Sequence, residues 1–458
     1  MSLLRRRQKN SINMTTGPVL RQIIAFGIPI LIGSIFQQLY SMVDSIVVGN
    51  FVGADALAAV GSASTVSWCL VMLAGGLTTG ASVVVAQLFG AGRQDQIRRA
   101  ISTSLIFAVA VSLVITVLGW FGAGWIMSLV RVPEALMRDS ILYLKIYSAG
   151  AVFLMIYNFY AAVLRALGDS TTPLIFLAVS SVLNIAGDLY FVIALHLDVP
   201  GVALATVLSQ AVSAILCALY SWKRMEWFRF GKGEFRFYKD LFGDILRMSV
   251  PSALQSSISN LGFVAVQGLI NSYGAACMAA YTAASKMEGL SHLPIEGFAM
   301  ALGVFVGQNI GAGDTQRVRQ GLRKTSIFCA AICAVTAGVI FAIGPALIRL
   351  FVSDAEAEII AMGAAFMRKW APFIVFFMLM MCLSSTLRGA GDSVFAMVIS
   401  FTDLGVRTFM AYFLAKTCGF GFMGIAYSIF IGWASAALIG FIRYLTGRWK
   451  TMKISSAG

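Results

Sequence analysis

LFGAGRQDQIRRA, residues 88–100, returns 221 residues later as NIGAGDTQRVRQG, residues 309–321. Three further pairs keep nearly that spacing. LRALGDS (164–170) matches LRGAGDS (387–393) and PGVALA (200–205) matches MGIAYS (423–428), both at an offset of 223, and Pro29 matches Pro251 at 222. Chance similarity between apolar helices could produce one such match, but hardly four in one order at one spacing. The chain is therefore two homologous halves.

What each half is follows from composition. Of 458 residues, 59% are hydrophobic and 12% charged, against about 25% charged in an ordinary soluble domain. Apolar runs of membrane-crossing length recur from end to end. They predict twelve spans: 22–50, 57–87, 100–128, 136–166, 171–196, 200–221, 246–272, 278–308, 324–352, 357–387, 394–416 and 420–444. A transmembrane barrel would instead alternate with period two in segments of about ten residues. The expected fold is an all-α polytopic membrane protein. Six spans per half is an even number, so both halves enter the membrane from the same side. They are then parallel repeats, two six-helix lobes related by a pseudo-two-fold axis along the membrane normal. The sequence divides as an N-lobe over 1–221, a basic linker over 222–245 and a C-lobe over 246–458.

The net charge of +14 does not point to nucleic acid, because the bases sit in loops between apolar runs. One set of loops, with the tails and nearby span ends, collects 25 of the 34 Lys and Arg residues; the opposite loops, such as FVGADAL and NSYGAA, are nearly free of them. Positive loops stay inside, so both termini are expected in the cytoplasm, with the protein in the inner (cytoplasmic) membrane. The first apolar run, after Arg5, Arg6, Arg7 and Lys9, is too long for a signal-peptide core and reads as a retained span. Seven cysteines, mostly in apolar segments and without a CxxC pair, read as small core residues. Two histidines, His196 and His292, argue against haem, di-iron and zinc-protease sites, and no transition-metal site is expected.

Against this background the intramembrane acids stand out. A carboxylate in hydrocarbon costs about 3 kcal/mol on insertion scales, yet Asp44 lies in span 1 and Asp188 in span 5. Each is about two turns from the outer end of its span, and Thr206 of span 6 lies at a similar depth. Asn184 and Asp188 are i, i+4 and share a helix face. Asp44, Asn184, Asp188 and Thr206 together offer hard oxygen ligands for a small cation. Without a cation, two adjacent carboxyls would share a proton. The competing reading is that each acid merely bonds a neighbouring helix, and for Thr206 alone that reading is the stronger, since threonine is ordinary in membrane helices.

The second half lacks this set, since Asp44 maps to Ala265 and Asp188 to Ala411. It has Glu288, His292 and Glu296 at i, i+4, i+8 in span 8, with Glu288 about 16 Å from the outer end at 1.5 Å per residue. Glu288 is a candidate acid in a substrate cleft; otherwise it pairs with Lys286 or His292. Asp403 and Arg407 in span 11 read as a self-neutralising pair, while Lys145, Arg368 and Lys369 have no evident partner. FLMIYNFY (153–160) and FIVFFMLMM (373–381) could line a cleft or simply pack.

These segments resemble the multidrug and toxic compound extrusion (MATE) transporters over about residues 15–446. The resemblance rests on QQLYSMVDSIVVGNFVGADALAAVG, LFGAGR, RALGDSTTP, NIAGDLYF and the two-half layout. It implies an antiporter, not an enzyme, that expels organic, often cationic and lipophilic compounds while Na⁺ or H⁺ moves inward, with no other cofactor. It implies a cation site at Asp44, Asn184, Asp188 and Thr206, and a bend of span 1 near Pro29. Some members carry coupling acids in spans 7 and 10; here neither span has an Asp or Glu except Glu358 at the very start of span 10, so a second-lobe cation site of that kind is not expected. Members with a span-8 glutamate suggest Glu288 as the substrate-side acid.

The expected partners are small organic molecules and membrane lipid, with no nucleic acid and a working monomer. No GxxxxGK[ST] motif is present, which argues against direct use of ATP. The alternative is a flippase of lipid-linked oligosaccharides on a related two-lobed scaffold, which should have a cationic cleft for pyrophosphate. A third class, an intramembrane enzyme, lacks a convergent nucleophile and base.

Overall fold

The computed structural model describes residues 12–351, 356–452 and 454, without the side chains of residues 45, 54 and 258–265. The basic cluster Arg5–Lys9 and Lys453 lie outside the described residues. Among those residues the regular structure is entirely helical, the form that satisfies every backbone polar group within its own segment when no water is at hand. Ten helices are long and apolar enough to cross a membrane, and the bent pair Glu134–Ala149 and Ala151–Ala166 forms an eleventh span. The twelfth, Lys239–Asn271, begins in charged residues that continue the helix beyond its apolar run.

The same outgrowth lengthens span 9 to Thr315–Arg349 against the predicted 324–352. Its start is fixed by Asp314, whose carboxylate accepts from the Arg317 amide at 2.8 Å, a side-chain cap of the kind that satisfies a free first-turn N–H.

Two spans predicted as continuous are broken. Span 4 bends by 48° between Ala149 and Ala151. Gly150 fills the break, and a Cβ there would meet Val207 Cγ2 at 2.5 Å, so the bend lets span 4 lie tightly on span 6 (Asp198–Arg224). Span 10 is split into Ala357–Trp370 and Ile374–Ala390 by a 3₁₀ turn holding Pro372, which has no amide to donate. The outer ends of spans 5 and 11 widen into π-helical turns at Tyr190–Ala194 and Phe413–Thr417. These irregularities recur at the repeat offset, so the duplication is visible in the defects of the helices as well as in their sequence. Span 9 has a kink of its own at Ile343, two residues before Pro345. Proline leaves the Phe341 carbonyl without its helical donor, and Arg368 Nη2 supplies one at 3.2 Å. This gives one of the unassigned intramembrane cations a partner. Lys145 lies over the Trp120 ring and Lys369 over Tyr427.

The chain divides into two compact units, but not at the predicted linker. Of the described residues, one unit holds 12–14, 32–253 and 454; the other holds 15–31, 254–351 and 356–452. The boundaries fall inside the helices Val19–Phe51 and Lys239–Asn271, two residues past Pro29 and Pro251. In the second unit, Arg317 donates to the Gly17 carbonyl at 2.9 Å and to Gln22 Oε1 at 3.1 Å. In the first, Ser249 Oγ donates to the Leu77 carbonyl at 2.6 Å. Residues 222–245, expected as a linker, are part of the first unit. Trp227 meets Phe89 edge-on at 5.9 Å, Phe228 stacks on Tyr160 at 5.2 Å, and Ser102 Oγ donates to the Arg236 carbonyl. The basic residues that mark the segment in sequence are interleaved with aromatic ones, and those aromatics anchor it.

All seven cysteines are free, and Cys217, Cys329, Cys333 and Cys382 are buried.

Candidate functional site

In the first unit, spans 1, 5 and 6 bring the four anticipated residues together. Asn184, Asp188 and Thr206 are buried and Asp44 is half-buried. Asp188 occupies the last turn of its helix before the π turn, a local widening often found at functional sites. The side chains of Asp44 and Asp188 lie next to each other, each within electrostatic reach of the other. Two carboxyls so placed favour a shared proton or a cation held between them. The Oδ1 atoms of both are buried and have no hydrogen-bond partner.

The neighbours tune this pair. With its amide turned so that both ends are satisfied, Asn184 donates from nitrogen to Asp188 Oδ2 at 3.2 Å, and its oxygen accepts from the Thr206 amide at 3.2 Å. In this arrangement Asn184 donates to Asp188; with its amide turned the other way its oxygen faces the carboxyls, as a cation ligand would. Thr206 Oγ1 donates to the Val202 carbonyl at 3.1 Å and lies 3.4 Å from Tyr40 Oη.

Sequence reading missed three tyrosines. Tyr40 is one helical turn before Asp44. Tyr143 and Tyr147, i, i+4 in span 4, stack at 6.2 Å, both within electrostatic range of Asp44, and hydrogen-bond to Ser64 and Gln210 respectively. Their shared face and their depth, matching that of Asp44, were the available signal. Among the described residues no group of three His, Cys, Asp or Glu side chains could hold a metal ion. The arrangement suits a proton or a weakly held alkali cation.

In the second unit Glu288 is buried and pairs with Arg407 Nη2 at 3.6 Å, rather than with Lys286 or His292. Lys286 and Glu296 are exposed on span 8. Glu288 is therefore not an unpaired cleft acid, and Arg407 is not held by Asp403 alone. Of the two candidate cleft segments, Leu154, Met155 and Phe159 in one and Phe377, Met378 and Met380 in the other are buried, as packing requires. Pro29 lies inside an unbroken helix, where it removes the donor to the Ala25 carbonyl.

A family model described as MatE matches residues 29–189 and again 251–413. The chain belongs to the MatE family. One match falls in each half, displaced by the repeat offset. The probable multidrug resistance protein YpnP of Bacillus subtilis (strain 168) is 30% identical to this MatE chain over 444 residues, 96% of this chain and 98% of YpnP. The probable multidrug resistance protein YoeA of the same strain is 27% identical over 448 residues, 95% and 96% of the two chains. A solved structure described as "Crystal structure of MATE in the bent conformation" overlays with a TM-score of 0.90 at 24% identity, covering 97% of this chain and 98% of that one. The MatE chain thus has the expected two-lobed twelve-helix fold, is a multi-pass membrane protein and belongs to a family of multidrug efflux transporters.

Proposed function

We propose that this protein is a secondary antiporter that exports organic, mostly cationic and lipophilic compounds in exchange for protons entering the cell. The observation that carries this reading is the adjacent pair of carboxyls, half-buried Asp44 and buried Asp188. Two adjacent carboxyls in a low-dielectric interior favour a shared proton, and Asn184 with its amide donating to Asp188 supports that reading. Sodium remains the other cargo the same oxygens could hold. A single charge moving through 100 mV releases about 2.3 kcal/mol, enough to drive export if proton and substrate bind the transporter's states with different affinities. The site residues are Asp44, Asp188, Asn184 and Thr206, with Tyr40 beside them and Pro29 as the point where span 1 bends. One chain carries both lobes and works as a monomer, with both termini in the cytoplasm of a bacterial cell.

The test uses liposomes containing the purified protein and a fluorescent organic cation, with a pH gradient and a Na⁺ gradient imposed separately. Accumulation driven by the pH gradient and lost in Asp44→Asn and Asp188→Asn is the expected result. Accumulation with Na⁺ alone reassigns the cargo. Failure of both gradients overturns the antiport reading and favours lipid flipping.

A further inference from the structure

Arg388 turns the wrong way for an arginine near the basic end of a span. It sits two residues before the end of Ile374–Ala390, where a long cationic side chain ordinarily reaches out to the interface. Its guanidinium instead lies back along the helix. Nη2 is 3.4 Å from Ser384 Oγ, one turn farther from that end, and donates to Gln255 Oε1 of span 7 at 2.9 Å. Gln255 Nε2 in turn donates to Ser400 Oγ of span 11 at 2.6 Å. Ser400 lies seven residues past Ser393, where its helix begins, about 10 Å along at 1.5 Å per residue. The cluster is therefore inside the span, not at its mouth, and all four residues belong to the second unit.

Among the described residues every partner of this guanidinium is neutral. Arg407 of span 11 and Arg443 of span 12, half-buried like Arg388, each have a carboxylate, Glu288 and Asp392 respectively. Arg388 has none, and its Nε is buried without any partner. A buried donor left unbonded is rare, and a cation held in a low-dielectric interior needs a counter-charge. Nor is the helix free to rotate and release the side chain. A Cβ on the next residue, Gly389, would meet the Gly303 carbonyl oxygen of span 8 at 2.4 Å, so backbone lies directly on backbone there. Arg388, Gln255 and Ser400 are nonetheless only half-buried, so a ligand can reach them.

We propose that Arg388, Gln255 and Ser400 form a binding site for an oxyanion, the carboxylate or phosphate of a small amphiphile. The accessible edge of the guanidinium donates to the oxyanion, whose planar or tetrahedral oxygens suit its paired hydrogens. Ser400, which accepts from Gln255, keeps its own hydrogen for a further oxygen. The ligand brings the negative charge that the surrounding helices do not. That the ligand is exported cargo rests on the antiport reading; the site itself does not. The cargo then extends from organic cations to amphiphiles that carry an acidic group.

The probe is radiolabelled naphthoate, with uncharged naphthamide as its match in shape, bound to purified protein in phosphatidylcholine nanodiscs. The protein should prefer the acid to the amide by about tenfold or more, the size of a hydrogen bond to a charged group. Arg388→Gln should erase that preference. Gln255→Glu should erase it too, by setting a carboxylate of the protein's own against Arg388, and it should melt no earlier than the parent, which separates lost binding from lost folding. Equal binding of acid and amide, or a preference that survives both substitutions, overturns the site. Loss of the preference when phosphatidylglycerol replaces phosphatidylcholine gives the site to a lipid headgroup and overturns its assignment to cargo. Gradient-driven accumulation of an organic cation in liposomes is scored separately. Its failure beside an intact preference for naphthoate defeats the antiport reading and leaves the oxyanion site; normal accumulation with no such preference does the reverse.

Discussion

Arg443 donates its Nε–H to Asp392 Oδ2 at 2.7 Å, in the position where the first half sets Tyr220 against Asp169. Both contacts join the loop after a broken span to the last turns of the sixth helix of that half. The first half uses a neutral hydroxyl and adds a local cap: Asp169 accepts from the Thr171 and Thr172 amides at 3.1 and 2.9 Å and from Thr172 Oγ1 at 2.7 Å. The second half relies on charge, with Arg443 also lying over the Phe395 ring at 4.8 Å. Arg443→Ala should therefore cost about 1.5–3 kcal/mol, the range of hydrogen bonds to charged groups. Arg443→Tyr, copying the first half, should recover part of it. Thermal melts of the detergent-purified proteins give the ordering, and equal melts for the alanine and tyrosine variants would count against it.

Asp188→Asn should abolish proton-driven accumulation while leaving the fold intact, because an amide is similar in size but takes up no proton. Linkage between two bound species is typically 1–3 kcal/mol, or about 5–150-fold in affinity, so the substrate's affinity should lose a pH dependence of that size. Binding titrations at two pH values measure it. Normal pH dependence in Asp188→Asn would remove the pair from the coupling step.

Tyr40→Phe deletes one hydroxyl beside Thr206 without touching either carboxyl. The loss should be about 1 kcal/mol, the net worth of one neutral hydrogen bond, seen as a several-fold weaker response to the pH gradient. An effect as large as that of Asp188→Asn would assign Tyr40 a direct share in holding the proton.

Arg407→Ala strands Glu288 and Asp403 together in the interior. Breaking a buried pair by removing one partner costs about 3–5 kcal/mol, so this variant should express poorly or melt early. Adding Glu288→Gln and Asp403→Asn to it removes the stranded charges and should restore much of the stability. Expression and melting of the single and triple variants decide the matter; a well-behaved Arg407→Ala protein would mean that solvent, not Arg407, satisfies the carboxyls.

Gly150→Ala places a methyl group 2.5 Å from Val207 Cγ2. Overpacking of this kind costs about 1–3 kcal/mol. Val207→Ala in the same chain should relieve it, and a double variant no more stable than Gly150→Ala would show that the bend, not the contact, needs the glycine.

The acids of the first unit were legible in sequence because charge is so costly in hydrocarbon that Asp44 and Asp188 stand out from their apolar runs. The repeat made the two-half plan legible for a different reason: matched turns keep their spacing even where apolar residues interchange. The pairing of Glu288 with Arg407 was not legible, because the partners are on spans 8 and 11 and no local rule links residues over a hundred apart in sequence. Tyr143 and Tyr147 were not legible either, because two tyrosines at i, i+4 in an apolar run are ordinary in membrane helices and only the neighbouring Asp44 of span 1 sets them apart. The break at Gly150 was hidden for a like reason, since glycine is common in membrane helices and only the approach of Val207 gives this one its role. Apolar runs also mark where lipid begins rather than where a helix ends, which is why spans 7 and 9 reach further at their basic ends than hydropathy suggests.

The boundaries inside the helices Val19–Phe51 and Lys239–Asn271 bear on how the protein can be dissected. A gene cut at the basic segment 222–245 looks like a clean way to express each half alone. It would instead leave the second unit without residues 15–31 and the first without residues 246–253. Each fragment would begin or end with a stretch whose own companions had been left on the other piece. Neither would be a self-sufficient protein, and only co-expression could return both orphaned stretches to the units they complete.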